Sequence, residues 1–351
     1  LWVCDAAGKA AGISPGYSSG GADAGSPLCF ARGRGSSHEA LKSRYLSVIL
    51  SLHARIARSF GKRREHLMKG SYIARAISRD GSARAFFEDS TAIVEHARQI
   101  HKASKTMTAA LGRCLTAASV MGSMLKEEKG SLTLRLNGDG PCEGIVCVSD
   151  SGGNVRGCCG DAGVELPANE KGKLDVGGAI GKNGSIYVVR DTGKGEPYVG
   201  SAPLTNGEVA EDITGYFAQS EQTPTACALG VRVFPDGQCR AAGGMLLQLM
   251  PFADEQTSAR LQKNVESLDS ISLMLAEGAG ANEVFKAVFS GVPYEILEEK
   301  PVEYRCACRR EGYASALVSL GTGELEDMLS DGEPIEIICR FCGRRYEFSM
   351  P

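Results

Sequence analysis

Cys306-Ala307-Cys308 and, 30 residues further on, Cys339-Arg340-Phe341-Cys342 place four thiols in two close pairs. Each pair can supply two soft ligands from one turn, and two such turns make the tetrahedral all-sulfur set that Zn(II) takes. Gly343 follows the second pair directly. A residue without a Cβ lets the backbone curl so that amide N–H groups face the sulfurs and offset their charge. The five histidines, His38, His53, His66, His96 and His101, all lie in the first third of the chain, so none competes for the site. The expectation is one zinc per chain on Cys306, Cys308, Cys339 and Cys342. The bland alternative is four unlinked buried thiols acting as small hydrophobes; the pairing and the glycine argue against it.

Two functions of different class can use such a site. As a structural zinc ribbon it would support nucleic-acid or protein binding, with Arg305, Arg309, Arg310, Arg340, Arg344 and Arg345 forming a local basic patch. As a redox switch it would hold its thiols as thiolates, the nucleophilic form, until oxidation closes them into disulfides and releases metal and folding energy together. A Cys-x-Cys bridge closes a small strained ring, and strained bridges are the labile ones.

The remaining chemistry is sparse. Gly181-Lys182 and Gly193-Lys194 lack the upstream glycine of a phosphate loop, and residues 102–351 hold no histidine to serve as a base for Ser or Cys. No enzyme is expected. Adjacent Cys158-Cys159 reads as two small side chains on opposite faces of a strand. Cys114, Cys142, Cys147, Cys227 and Cys239 show no electropositive setting that would make them reactive.

Composition frames these residues. At 351 residues, 43% hydrophobic and 23% charged, the chain is long enough for two domains or one with appendages. The net charge of −3 divides into +6 for residues 1–67 and −9 for the rest. An acidic body speaks against a broad nucleic-acid surface. Thirteen cysteines without a secretory signal point to a reducing compartment. No apolar run approaches the roughly 20 residues that cross a bilayer, so a soluble protein with no membrane partner is expected.

The elements that must position the thiols follow in order. Residues 1–40 are Gly-, Ser- and Ala-rich and read as disordered. Residues 41–64 carry Leu46, Ile49, Leu50, His53 and Ile56 at helical spacing among seven basic residues, like an amphipathic helix or an organelle transit peptide. Met68 offers a natural start, so residues 1–67 are read as a non-native extension outside the fold. From residue 68 to 252 an α+β core is expected. It has a strand at 72–77, one long helix from Ser90 to Met124 capped by Asp89 or Ser90, and an antiparallel meander at 131–136, 143–149 and 154–159. A strand at 185–189 and a helix at 207–219 complete it. Residues 253–300 form an acidic linker whose apolar positions recur at steps of three and four: Leu261, Val265, Leu268, Ile271 and Leu275, then Val284, Phe285 and Val288 in a second helix over 279–289, stopped by Gly291 and Pro293. Such stripes must lie on something, and the preceding domain is available. Residues 301–351 form the small metal domain.

With the thiols and elements placed, the chain resembles the redox-regulated thirty-three-kilodalton heat-shock chaperones, bacterial holdases. The resemblance rests on the cysteine spacing with Gly343, on Asp175-Val176-Gly177-Gly178-Ala179-Ile180-Gly181, on Tyr216-Phe217 leading to Ser220-Glu221-Gln222-Thr223-Pro224-Thr225, and on Ala241-Ala242-Gly243-Gly244-Met245-Leu246-Leu247-Gln248. It covers about 68–348. The 67-residue front is foreign to that pattern, and members often continue past the position of Phe348. The resemblance implies a cytoplasmic, ATP-independent holdase, or an organellar one if residues 1–67 are a transit peptide. It would be inactive while reduced and zinc-bound, and activated when peroxide or hypochlorous acid oxidises the four cysteines to two disulfides, within 306/308 and 339/342. It would then dimerise and capture unfolding proteins, with no nucleic-acid partner.

Overall fold

The computed structural model describes residues 2–4, 10–12, 70–329 and 334–349. Its strands are β1 (Trp2–Cys4), β2 (Ala10–Gly12), β3 (Ser71–Ser78), β4 (Ala83–Asp89), β5 (Ser131–Asn137), β6 (Ile145–Asp150), β7 (Val155–Cys159), β8 (Ser185–Asp191), β9 (Tyr198–Pro203), β10 (Thr225–Val233), β11 (Cys239–Leu249), β12 (Tyr294–Val302), β13 (Ile335–Ile338) and β14 (Arg345–Phe348). Its helices are α1 (Thr91–His101), α2 (Lys105–Gly122), α3 (Val176–Ile180), α4 (Ala210–Gln219), α5 (Glu255–Glu266), α6 (Ile271–Ala276), α7 (Ala281–Val288), α8 (Arg310–Val318) and α9 (Thr322–Leu329). The fold is α+β with antiparallel sheets. One sheet has the order β12-β3-β4-β11-β10-β1-β2, a second runs β7-β6-β5-β8-β9, and β13-β14 is a hairpin. Within the first 67 residues, the described segments are β1 and β2, paired with each other and, through β1, with β10. The basic segment 41–64 lies outside the described residues.

Helix α2 is the pin between the two large sheets. It is buried on every side, because small residues (Ala109, Ala110, Ala117, Ala118, Gly112, Gly122) let both sheets come close. At Gly122 a Cβ would collide with the Ser149 side chain, so only glycine permits this approach of helix to β6. The single helix expected from Ser90 to Met124 is two. Lys102 takes a left-handed φ of 50°, and Ser104 restarts the chain by accepting the Met107 N–H through its hydroxyl at 3.0 Å. At the first start Asp89, not Ser90, supplies the side chain: its Oδ1 accepts the Thr91 N–H at 3.0 Å.

The two faces of the seven-stranded sheet differ. One packs on α2 with Ile73, Phe86 and Leu246. The other is paved with alanine (Ala74, Ala76, Ala83, Ala85, Ala226, Ala228 and Ala241) around Phe87, Met245 and Leu247. Helices α5, α6 and α7 lie on that paved face. The stripe read as one helix over 261–275 is broken between Ser267 and Ser270, so that α6 turns onto the sheet. Between α7 and the cysteine-bearing C-terminal segment runs β12, paired antiparallel with β3 at the sheet edge and irregular between Ile296 and Glu298.

One carboxyl group is buried in this core without an ion-pair partner among the described residues. Glu88 of β4 is fully buried, and neither carboxylate oxygen has a hydrogen-bond partner. The nearby Ser119 hydroxyl donates to the Gly153 carbonyl at 2.7 Å. Burial holds the Glu88 carboxyl well above the usual range; the Ser119 hydroxyl opposes this and the neighbouring Asp89 carboxylate adds to it. The folded state therefore binds this proton more tightly than the unfolded chain does. The stabilisation is complete below the unfolded carboxylate pKa and falls by about 1.4 kcal/mol per pH unit from there to the raised folded pKa. Glu88→Gln removes that slope, so urea midpoints at pH 8 are expected to rise above wild type and to converge with it near pH 4. Equal midpoints at both pH values would contradict a protonated Glu88.

Candidate metal centre

The first thiol pair leaves β12 on an extended segment ahead of α8, and the second sits in the turn of the β13-β14 hairpin. The hairpin closes because the Cys339 N–H donates to the Arg344 carbonyl at 2.9 Å and the Gly343 N–H to the Cys339 carbonyl at 2.8 Å. Gly343 has φ 70°, the left-handed value that a Cβ would disfavour. The amides directed at the Cys339 sulfur are those of Phe341 and Cys342. Gly343 thus makes the curl, while its neighbours face the sulfur.

All four sulfurs lie within 4.8 Å of one another. Cys306 and Cys339 are 3.7 Å apart and Cys308 and Cys342 3.4 Å. These separations are far beyond a disulfide bond and close to the ~3.8 Å edge of a tetrahedron with zinc–sulfur bonds of about 2.3 Å. Electrostatics agrees with a cation. Burial pushes the Cys306 thiol up to about 12 and raises Cys342. At Cys339 burial also opposes ionisation, but the Tyr313 hydroxyl and the two amides outweigh it and bring the thiol down to about 6. Four thiolates this close repel, and a divalent ion offsets that repulsion. The donor set therefore fits a metal ion. Tyr346 adds a second layer: its hydroxyl is 3.2 Å from the Cys308 sulfur and donates to the Cys308 carbonyl at 3.1 Å.

Tyr304, a residue without a motif to flag it, joins this centre to the core. Its hydroxyl meets the Gly157 carbonyl at 2.9 Å and the Phe341 carbonyl inside the second thiol turn; His101 Nε2 lies 3.4 Å away. Its ring sits edge-on to His96 at 5.4 Å. Arg156 covers the Phe341 ring at 5.3 Å, and Arg305 reaches Asp150 at 3.7 Å. Residues on both sides of Tyr304 bond Val155: the Val155 N–H donates to the Glu303 carbonyl at 3.0 Å, and the Arg305 N–H to the Val155 carbonyl at 2.9 Å. Tyr304→Phe leaves the half-buried Phe341 carbonyl short of a donor, at a cost of about 1 kcal/mol. Zinc content should be unchanged, while amides over 335–348 exchange faster with deuterium. Unchanged exchange would remove Tyr304 from the coupling.

The other sequence-marked residues fall elsewhere. Leu261, Val265, Ile271, Leu275, Val284, Phe285 and Val288 are buried on the alanine-paved face, and Leu268 packs there half-buried. Cys114, Cys142, Cys147, Cys227 and Cys239 are buried, and burial raises the pKa of each. Cys158 and Cys159 alternate across β7 as expected, but Cys158 is half-exposed next to Arg340 and Cys339. The Asp175–Gly181 motif is a packing device: Asp175 caps α3 by accepting the Gly178 N–H at 2.9 Å, and α3 abuts the Gly138–Gly140 turn. Of the arginines around the thiols, Arg345 pairs with Glu336, Arg305 with Glu303, and Arg310 stacks on Phe348.

Comparison with known proteins places the chain. The family described as Hsp33 protein matches residues 71–349. The 33 kDa chaperonin of Clostridium novyi (strain NT) is 44% identical over 277 residues, covering 79% of this chain and 94% of its own. That of Lachnoclostridium phytofermentans is 44% identical over 279 residues, covering 80% and 95%. The crystal structure of the 33 kDa chaperonin (heat shock protein 33 homolog) from Thermotoga maritima superposes with a TM-score of 0.74 at 38% identity, covering 80% of this chain and 95% of that one. Among the described residues no helix is long and apolar enough to cross a membrane. With the same fold, a four-cysteine cluster and this identity over most of its length, the chain belongs to the Hsp33 family of chaperones.

Proposed function

We propose that the protein is a redox-regulated, ATP-independent holdase, off when Cys306, Cys308, Cys339 and Cys342 hold one zinc ion and on when they are oxidised. The observation that carries this reading is the four-thiol cluster at the end of a domain that docks on a chaperone core. When bound, zinc supplies charge compensation that keeps four thiolates together and folded. Oxidation joins Cys306 to Cys308 and Cys339 to Cys342. Each bridge forms as two thiolates give two electrons to one peroxide, which takes up two protons and leaves as two waters. The nearest sulfurs lie between the pairs, at 3.7 and 3.4 Å, and a tetrahedral cluster favours no pairing by distance alone. Peptide mapping of oxidised protein decides it, and a bridge to Cys158, which neighbours Cys339, would show that the core thiols take part.

The light scattering of a thermally unfolding client tests the function. Oxidised protein should suppress aggregation at near-stoichiometric amounts and reduced, zinc-loaded protein should not; equal suppression would remove the redox control. Dimerisation of the oxidised form belongs to the same proposal and is read by sedimentation. A zinc-ribbon nucleic-acid binder is disfavoured by the −9 charge of residues 68–351 and by the acidic partners of Arg305 and Arg345. Reduced protein should show no salt-dependent DNA or RNA binding near 150 mM salt, whereas binding that falls steeply with added salt would favour the ribbon.

A further inference from the structure

Two family motifs converge on a place neither the thiols nor the linker uses. Phe217, Glu221 and Thr223 of one, and Gln248 of the other, line a cavity of about 120 Å³ together with Arg84 and Arg190. Met121, Met124 and Leu125, at the end of α2 and just beyond it, make an apolar wall. The polar side is assembled by an ordered chain of bonds. Arg84 Nε donates to Gln248 Oε1 at 2.9 Å, and Gln248 Nε2 to Thr225 Oγ1 at 3.2 Å, with Gln248 and Thr225 both buried. Across the cavity Arg190 donates to Glu221 Oε1 at 2.6 Å, an atom also bonded by the Tyr216 hydroxyl at 2.5 Å. Gln222, between Glu221 and Thr223, takes a left-handed φ of 50°, a conformation costly for a non-glycine residue that turns its neighbours inward.

The charges do not balance. Arg190 is paired with Glu221, whereas Arg84 has no carboxylate among the described residues: its contacts are Gln248 and the Phe86 ring at 5.8 Å. Burial and the neighbouring Arg75 disfavour its charge, so an anion would be welcome there. A guanidinium held by its Nε, with its Nη atoms left for a ligand, is suited to a two-pronged carboxylate. An engineered cavity of ~150 Å³ takes a benzene-sized molecule, so this one admits a carboxylate with a stem of roughly two to four carbons.

We propose that this cavity binds a small aliphatic carboxylate, its head on Arg84 and its stem against Met121, Met124, Leu125 and Phe217. The volume matches a short free acid, which is the ligand assigned, and a chain terminus is the competing occupant that the test distinguishes.

The test titrates butyrate, its neutral isostere butyramide, and N-acetylvaline into full-length, reduced, zinc-loaded protein, following the Arg Nε–Hε resonances. Butyrate should shift the Arg84 signal in a saturable way and bind at least about 10-fold more tightly than butyramide. N-acetylvaline should not compete. Arg84→Met should abolish the effect while keeping the wild-type amide spectrum. The proposal is overturned if butyrate at about 100 mM leaves Arg84 unmoved, if butyramide binds equally, or if folded Arg84→Met binds butyrate undiminished. N-acetylvaline binding more tightly than butyrate would overturn the free-acid assignment. Should Arg84→Met fail to fold, the comparison of acid with amide in the wild-type protein decides alone.

Discussion

Cys339→Ser is expected to cost the protein its zinc and, with it, the fold of the metal domain. Among the described residues from 303 to 349 only Cys339 and Tyr346 are buried, and α8 has no buried residue at all. A segment without an apolar core has little besides the metal to offset its chain entropy, and zinc binding in small domains is worth on the order of 10 kcal/mol. Around Cys339 the Phe341 and Cys342 amides and the Tyr313 hydroxyl face the sulfur, and its backbone closes the hairpin. Metal analysis should give one zinc per reduced wild-type chain, and chelator competition should show affinity at least ~100-fold lower in the variant. Deuterium exchange over 303–348 should approach that of an unfolded chain, leaving β5 to β9 protected. A variant of undiminished zinc affinity would remove Cys339 from the ligand set.

The second large effect concerns the cover on the alanine-paved face. Val265→Asp with Leu268→Asp places two carboxylates where Val265 is fully buried and Leu268 half-buried. Burying an unpartnered carboxylate costs several kcal/mol, and the change also removes the apolar contacts of Val265 that hold α5 down, so α5 should lift. Reduced, zinc-loaded double variant should then suppress client aggregation in part, without oxidant. If its linker amides exchange rapidly and it stays inactive, exposure of this face is not what switches the protein on.

That pair of tests also separates two routes of control. Of residues 253–300, read from the sequence as a helical linker that loses a neighbour when the metal domain unfolds, 253–293 lie on the paved face of the sheet and 294–300 are instead its edge strand β12, while Tyr304 and the thiol turn are held against β6, β7 and α1 on the other. What joins them is β12. It is paired with β3, and on the proposed mechanism a loosening at Tyr304 would travel along that pairing to α7.

Much of this was legible beforehand, for reasons that can be named. Thiol spacing is local, and so are the apolar stripes of α5 to α7, whose residues all reach the core or its margin. The meander β5-β6-β7 announced itself by alternation and by glycine-rich turns. The large sheet did not. Strands β4 and β11 and the first half of β10 are largely buried on both faces, so their apolar runs lack the period of two that marks a half-exposed strand. Strand β12 was hidden for the opposite reason: Glu295, Glu298, Glu299 and Lys300 are the charged dressing of an exposed edge. The break at Lys102 carries no glycine or proline, and the roles of Tyr304, Glu88 and Arg84 depend on partners far away in the chain.

Strands β11 and β12 belong to one sheet, so the helical cover 250–293 is a loop moored at both ends. When it lifts while β12 stays paired, it cannot drift away. Its effective concentration over the alanine face stays in the millimolar range typical of short tethers. On the proposed mechanism a captured client would compete with an intramolecular lid, and re-covering would be first order, independent of how much protein is present. On that reading release should quicken once the thiols are reduced, because the cover is already tethered beside the surface it closes.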